Sequence, residues 1–277
     1  MPRDLADVLH YFLPEIDDAP HTSTASDAPM GHDEIRSLAQ DSAPPSLAIL
    51  GIPIGERDVV RAALAWNLAI ETARVGGSTV MLAPASDEGS PLWPEPGMGP
   101  LGTELVLCPA TDLESLYRAA ADLAKSRAGG TRRGGIVFVR IPPPWLAVSD
   151  AVRNKGASPI RWLLLLTSSN RRDLHEAYDL AKTLWAANPR TEVGVTIHGV
   201  STISEARAAF EYLSRISREQ LGLVLASYGL LVDDLHVYRA IAAQRPIGLA
   251  HPQAPATRAL MDVARLLYED ARSRVLG

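Results

Sequence analysis

Leu47-Ala-Ile-Leu-Gly-Ile52, followed closely by Gly55-Glu-Arg-Asp-Val-Val-Arg-Ala-Ala-Leu-Ala-Trp-Asn-Leu-Ala69, is the stretch from which the rest of the chain is read. The first segment is short and apolar throughout, the pattern of a parallel strand buried on both faces. Gly55 then opens a long run with few helix breakers, which ends at Gly76-Gly77. Thr79-Val-Met-Leu-Ala83 follows as a second apolar strand. Strand, glycine turn, helix, glycine, strand is the order of a βαβ unit opening an α/β nucleotide-binding domain.

A turn of that kind holds a phosphate with specific parts. Glycines expose backbone N–H groups at a helix N-terminus, a Lys reaches the phosphate oxygens, and a Ser or Thr hydroxyl holds magnesium. The segment resembles, without a gap, the opening of the MinD/ParA/FlhG family of P-loop ATPases, whose deviant Walker A run reads GKGGVGK[ST]T and leads to Asn-Leu-Ala. Gly55 matches the first glycine, and Asn67-Leu68-Ala69 the end of the motif. Between them Glu56 stands for the signature Lys, Arg57-Asp58 for two glycines, and Val60 for the last glycine. Arg61 replaces the P-loop Lys, and Ala62-Ala63 the hydroxyl pair. A carboxylate therefore faces an anion site, valines crowd the backbone, and the magnesium oxygen is gone. The resemblance implies the family's fold without its chemistry.

The same pattern holds further on. Gly135-Ile-Val-Phe-Val-Arg-Ile-Pro-Pro-Pro144 resembles the family's Walker B strand, which ends in Asp-x-Pro-Pro, but Arg140 stands where that Asp orders metal and water. After strand Thr79–Ala83 the nearest acid is Asp87, one place beyond the family's switch position. Arg161–Thr167 reads as a buried strand and Asp173–Leu184 as its helix. Glu192–Val200 is the next strand, where His198 takes the place of an adenine-reading Asn; a strand-end residue bonded to backbone is its ordinary role. Gln244-Arg245-Pro246 and His251-Pro252 fall in register with the FlhG/MinD ending. A RecA-like domain, the competing assignment, explains neither that ending nor the prolines after Arg140.

Five further segments read as ordinary structure. Glu104–Pro109 is a strand with Cys108 as a buried, inert thiol. Asp112–Arg127 and Ser204–Ile216 are amphipathic helices. Between Ser90 and Gly102 lies an irregular loop whose Trp93 caps the core edge, and Lys125–Arg133 is a solvated basic turn.

Composition removes several function classes. The chain of 277 residues carries one Cys, so no internal disulfide framework exists and a reducing cytoplasm is the expectation. No run of about 18 apolar residues crosses a membrane, and the first residues lack a signal-peptide pattern. Residues 1–45 hold nine carboxylates against Arg3 and Arg36, within a net charge of −5. An acidic tail on a near-neutral body disfavours DNA coating. In that tail Leu5, Val8, Leu9 and Phe12 make one apolar stripe of a short helix over 1–14, expected to dock on its own domain or in a partner's groove. Its acidity argues against a membrane anchor. Residues 15–45 read as a disordered acidic linker, and His21 and His32 lack the companions a metal site needs.

The expectation is thus a three-layer α/β domain over 46–277, with a mostly parallel sheet and helices on both faces. Its function would be that of a pseudo-ATPase: a protein-interaction scaffold or spatial regulator, monomeric or a nucleotide-independent dimer, with protein partners and no cofactor. Charges such as Glu56 or Asp58 with Arg61, and Arg140 beyond, would fill the phosphate site. The alternative is an atypical ATPase or nucleotide sensor in which Arg61 holds ATP with Mg.

Overall fold

The computed structural model describes Arg3 and residues 46–85, 92–128, 134–148 and 161–276. The expectations for Leu5, Val8, Leu9, Phe12, the linker and Asp87 lie outside these residues. Strand β1 (Ala48–Pro53) leads through the Gly55 turn into helix α1 (Val59–Arg74), then β2 (Ser78–Pro84). A two-residue β3 (Gly97–Met98) and a short 3₁₀ turn precede β4 (Glu104–Cys108), helix α2 (Leu113–Ala128) and β5 (Gly135–Ile141). Helix α3 (Pro143–Val148), β6 (Trp162–Ser168), α4 (Arg171–Ala187), β7 (Glu192–Val200), α5 (Ile203–Leu221) and β8 (Ala226–Val232) follow. The chain ends in α6 (Leu235–Ala242), α7 (Ile247–Ala250) and α8 (Pro255–Leu276).

The eight strands form one sheet in the order β3-β4-β2-β5-β1-β6-β7-β8, parallel except for β3. Hydrophobic burial explains the arrangement. β5 is buried along its whole length and β1 nearly so, as the centre of a sheet covered on both faces must be. Right-handed crossovers decide which face each helix takes. The β1-to-β2 step runs one way along the sheet and the helical steps from β4 onward run the other, so α1 lies on one face and α2, α4 and α5 on the opposite one. α8 packs beside α1. Packed on the sheet with α8 alongside, α1 is apolar over most of its surface, with Leu64, Ala65, Leu68, Ala69 and Ile70 buried. Gly51 in β1 lets α2 pack closely: a Cβ there would lie 2.4 Å from the Tyr117 hydroxyl oxygen and push that side chain aside.

The segments matching the family pattern are hydrogen-bond nodes. Asn67 of α1 accepts from the Ile247 N–H at 2.8 Å and donates to the Ala63 carbonyl at 2.7 Å. It joins the first helix to the residue after Gln244-Arg245-Pro246. Asp234 caps α6 through the His236 N–H at 2.9 Å and accepts from the Ala256 N–H of α8 at 3.2 Å. Replacing Asn67 with Leu strands the buried Ile247 N–H, and an orphaned buried donor costs about 1–3 kcal/mol. Urea unfolding of Asn67→Leu is expected to show that loss; a change within about 0.5 kcal/mol, the size of a neutral surface substitution, would mean the bond carries little.

Some boundaries move. The last helix continues to Leu276, beyond the Ala256–Leu267 match, because Ala271 is buried and Asp270 is anchored by Arg3. The prolines after Ile141 start α3, using Pro where a first-turn N–H has no partner anyway. Cys108 is buried, as expected. Among the described residues no helix is long and apolar enough to cross a membrane.

Candidate functional site

All the strands that flank β1 end at the same edge of the sheet, and ligands of open α/β folds bind outside that edge where chain direction along the sheet reverses. The turn after β1 closes with the Asp58 N–H bonding the Gly55 carbonyl at 3.1 Å. Asp58 is the N-cap of α1, its carboxylate accepting from the Arg61 N–H at 3.0 Å. A helix N-terminus attracts an anion through its free N–H groups and its dipole. Here that anion is the chain's own side chain.

Arg61 is 8% exposed and surrounded by carboxylates. Its guanidinium lies 3.3 Å from Asp58, 3.1 Å from Glu176 and 3.8 Å from Asp173. Both terminal nitrogens donate to one Glu176 oxygen. Asp173 is itself fixed, accepting from the Ser168 hydroxyl at 2.6 Å and the Asn170 amide at 3.0 Å. Arg61 thus reaches from the first turn of α1 to the first turn of α4, across the edge where β1 and β6 end.

Glu56 makes no ion pair with Arg61, correcting one of the expected pairs; it is exposed and acts on Arg140 through space. Arg57 is exposed too. Ala62 is buried and Ala63 half-buried, so neither position offers a polar oxygen from its side chain. Arg140 does not join the Arg61 cluster either. It is 4% exposed, stacks on the Trp93 ring at 3.9 Å and donates through Nε to the Ile54 carbonyl at 3.4 Å. Among the described residues its buried Nη2 and the buried Trp93 Nε1 have no hydrogen-bond partner. Burial pushes the Arg140 pKa down, and the Glu56 charge partly offsets this. Trp93 caps the core edge as expected, and what it caps is a buried cation.

His198 lies two residues before the end of β7, near the cluster, but among the described residues its buried Nε2 has no hydrogen-bond partner. The expected backbone bond is therefore missing at that nitrogen. Burial lowers the His198 pKa most and the Arg61 charge lowers it further, while Asp58 and Asp173 pull the other way. The cavity bounded by Val60, Leu64, His198 and Leu231 has a volume of about 20 Å³. That is the room of one water molecule; ligand pockets measure about 300–1,000 Å³. Among the described residues no group of three His, Cys, Asp or Glu side chains is arranged to hold a metal.

Asp173 and Glu176 are the site residues missing from the sequence reading. The available signal was two acids three apart in the first two turns of α4, just past the end of the strand beside β1.

Comparison with solved structures places this geometry in a known scaffold. MinD in its complex with MinC from Aquifex aeolicus superposes with a TM-score of 0.57 at 16% identity, over 80% of this chain and 96% of that one. The fold is that of MinD. MinD from Aquifex aeolicus alone gives a TM-score of 0.57 at 15% identity, covering 80% of this chain and 97% of that one. The cell division ATPase MinD of Pyrococcus furiosus gives 0.56 at 10% identity, covering 81% and 99%. No protein-family model matches the chain, and no curated protein sequence does. The MinD fold is thus shared at identities where only architecture is informative, and the site must be read from its own side chains.

Proposed function

We propose that this chain is a non-catalytic protein of MinD fold, a pseudo-ATPase that works in the cytoplasm as an interaction scaffold or spatial regulator. One observation carries the reading: Arg61, at the position matching the P-loop Lys, already holds Asp58, Glu176 and Asp173. A triphosphate arriving there would have to displace carboxylates from a buried guanidinium and approach a helix whose N-terminus is capped by another anion. Arg140, at the position matching the metal-ordering Asp, supplies a charge that repels magnesium. The nearby water-sized cavity beside His198 does not admit a base. Protein partners are what the scaffold would retain; MinD of Aquifex aeolicus, with the same fold, forms a complex with MinC.

A ligand that binds only the native state raises the melting temperature. At about a hundredfold excess over Kd the gain is about 2.7 kcal/mol, or roughly 5–10 °C for a domain of this size. The expected result is a shift below about 1 °C with millimolar Mg-ATP or Mg-ADP, read by differential scanning fluorimetry. A shift of several degrees would overturn the proposal in favour of nucleotide held by Arg61.

A further inference from the structure

Arg3 is fixed to the folded domain far along the sequence from it. Its carbonyl accepts from the Ser227 N–H at 2.9 Å, and β8 is the last strand of the sheet, so this bond occupies the free edge. The Arg3 guanidinium lies 2.7 Å from Asp270 and donates to the Leu266 carbonyl at 3.4 Å, both on α8. Beside Arg3 a groove of about 300 Å³ runs between α5 and the residues entering β8. Phe210 and Leu225 form its floor and Val224, 44% exposed, its apolar rim. Arg215 and Arg218 also line it, together with Glu211 and Glu219, and neither arginine has an ion-pair partner among the described residues, those two glutamates included.

The sequence directly after Arg3 complements the apolar part of this groove and its two unpaired arginines. Leu5, Val8, Leu9 and Phe12 make one apolar stripe, and Asp4 and Asp7 lie together on its flank. We propose that residues 4–13 dock in cis as a helix in the α5–β8 groove, with the stripe on Phe210, Val224 and Leu225 and the acids facing Arg215 and Arg218. Three physical points favour this occupant. A helix this short is marginal alone in water and needs a surface to fold against. Because Arg3 is already anchored at the groove, the segment is present there at an effective concentration in the millimolar range, which a second copy or a separate partner does not match. The return to β1 is undemanding: β1 and β8 start at the same sheet edge, three strand spacings or roughly 15 Å apart, and residues 4–45 reach far beyond that. The docked helix would also shield the free edge of β8, which otherwise invites strand pairing. This inference rests on the Arg3 anchor and not on the nucleotide reading, so each stands or fails by its own experiment.

The test uses the full chain with a nitroxide attached at His10→Cys, off the apolar stripe; the natural thiol, Cys108, is buried and does not compete for the label. Paramagnetic broadening in the ¹⁵N spectrum is expected to concentrate on residues 206–225. It is expected to disperse in the Leu9→Asp/Phe12→Asp variant and to weaken in Arg215→Glu/Arg218→Glu. In the same two variants, amide exchange at Val224 and Leu225 should be at least tenfold faster than in the parent. Broadening spread evenly over the domain, or unaffected by those substitutions, overturns the proposal. So does broadening that arises only between chains, when unlabelled spin-bearing protein is mixed with ¹⁵N protein, because that outcome is a swapped copy.

Discussion

Arg61→Ala is expected to destabilise the domain by about 2–3 kcal/mol and to raise the pKa of His198. Removing one member of a buried ion cluster leaves the remaining charges uncompensated, which costs about 3–5 kcal/mol when the partners are fully buried. The figure here is smaller because the partners are partly wet: the side chains of Asp58, Asp173 and Glu176 are 29%, 24% and 45% exposed. Glu176 contributes least, since water screens it. Thermal unfolding should therefore fall by roughly 5–10 °C. The His198 effect follows from the direction of each influence. Burial and Arg61 lower its pKa, while Asp58 and Asp173 raise it; deleting Arg61 removes one depressing influence and leaves both elevating ones. In the parent, His198 is depressed, so its neutral form is favoured by the fold. That contribution is present above the ordinary imidazole pKa and is lost as pH falls through it toward the folded value. The variant should lose less of it on acidification. NMR titration of the His198 ring reads the shift directly. An unchanged His198 pKa together with unchanged stability would show that Arg61 does not occupy the cluster in solution.

How much of this was legible in the sequence depends on whether neighbours in the chain or neighbours in space carry the information. β1, α1 and β2 were readable because strand and helix periodicities are local, and Gly55 and Gly76-Gly77 mark their limits. The Asp58–Arg61 pair was readable for the same reason: a cap and a residue three along on one helix must meet. Asp173 and Glu176 were not, because they reach Arg61 only once β6 lies beside β1, and a strand order is not written in any single segment. The direction in which Arg140 points was hidden likewise. Its partner Trp93 comes from an irregular loop on the far side of β2 in sequence, and only the closed core brings the ring beneath the guanidinium. The family-like Asn67 and Gln244-Arg245-Pro246 were recognisable as pattern, but their meaning, a bond from Ile247 N–H to the Asn67 side chain, is tertiary. They have a structural task that needs no nucleotide, and so their persistence does not argue for one.

The second large effect concerns Arg140, where introducing the acid of the Asp-x-Pro-Pro pattern is the sharpest challenge to the proposed function. Arg140→Asp is expected to cost about 3–5 kcal/mol and to gain no response to Mg-ATP. Arg140 is 4% exposed, and the substitution removes the stack on Trp93 and the bond to the Ile54 carbonyl while placing a carboxylate in the same dry space. A buried charge without a partner is among the most expensive substitutions a core can suffer. The nearby Glu56 turns from an attractive influence into a repulsive one. Arg140→Met separates charge from volume. It keeps an unbranched side chain against Trp93 and removes a cation whose Nη2 has no hydrogen-bond partner among the described residues, so its cost should be only about 1 kcal/mol, because an apolar side chain of similar shape often replaces a buried ion at little loss. The expected order of stability in urea is therefore parent, then Met, then Asp. Trp93 should change its emission in both variants, with Trp93→Phe as the reference, since the guanidinium leaves its face in each. If Arg140→Asp were as stable as the parent and acquired a magnesium-dependent rise in melting temperature with ATP, the crevice would be a nucleotide site held shut by one residue. The three carboxylates already on Arg61 argue that it is shut by the whole cluster, so that this single substitution breaks the core without opening a pocket.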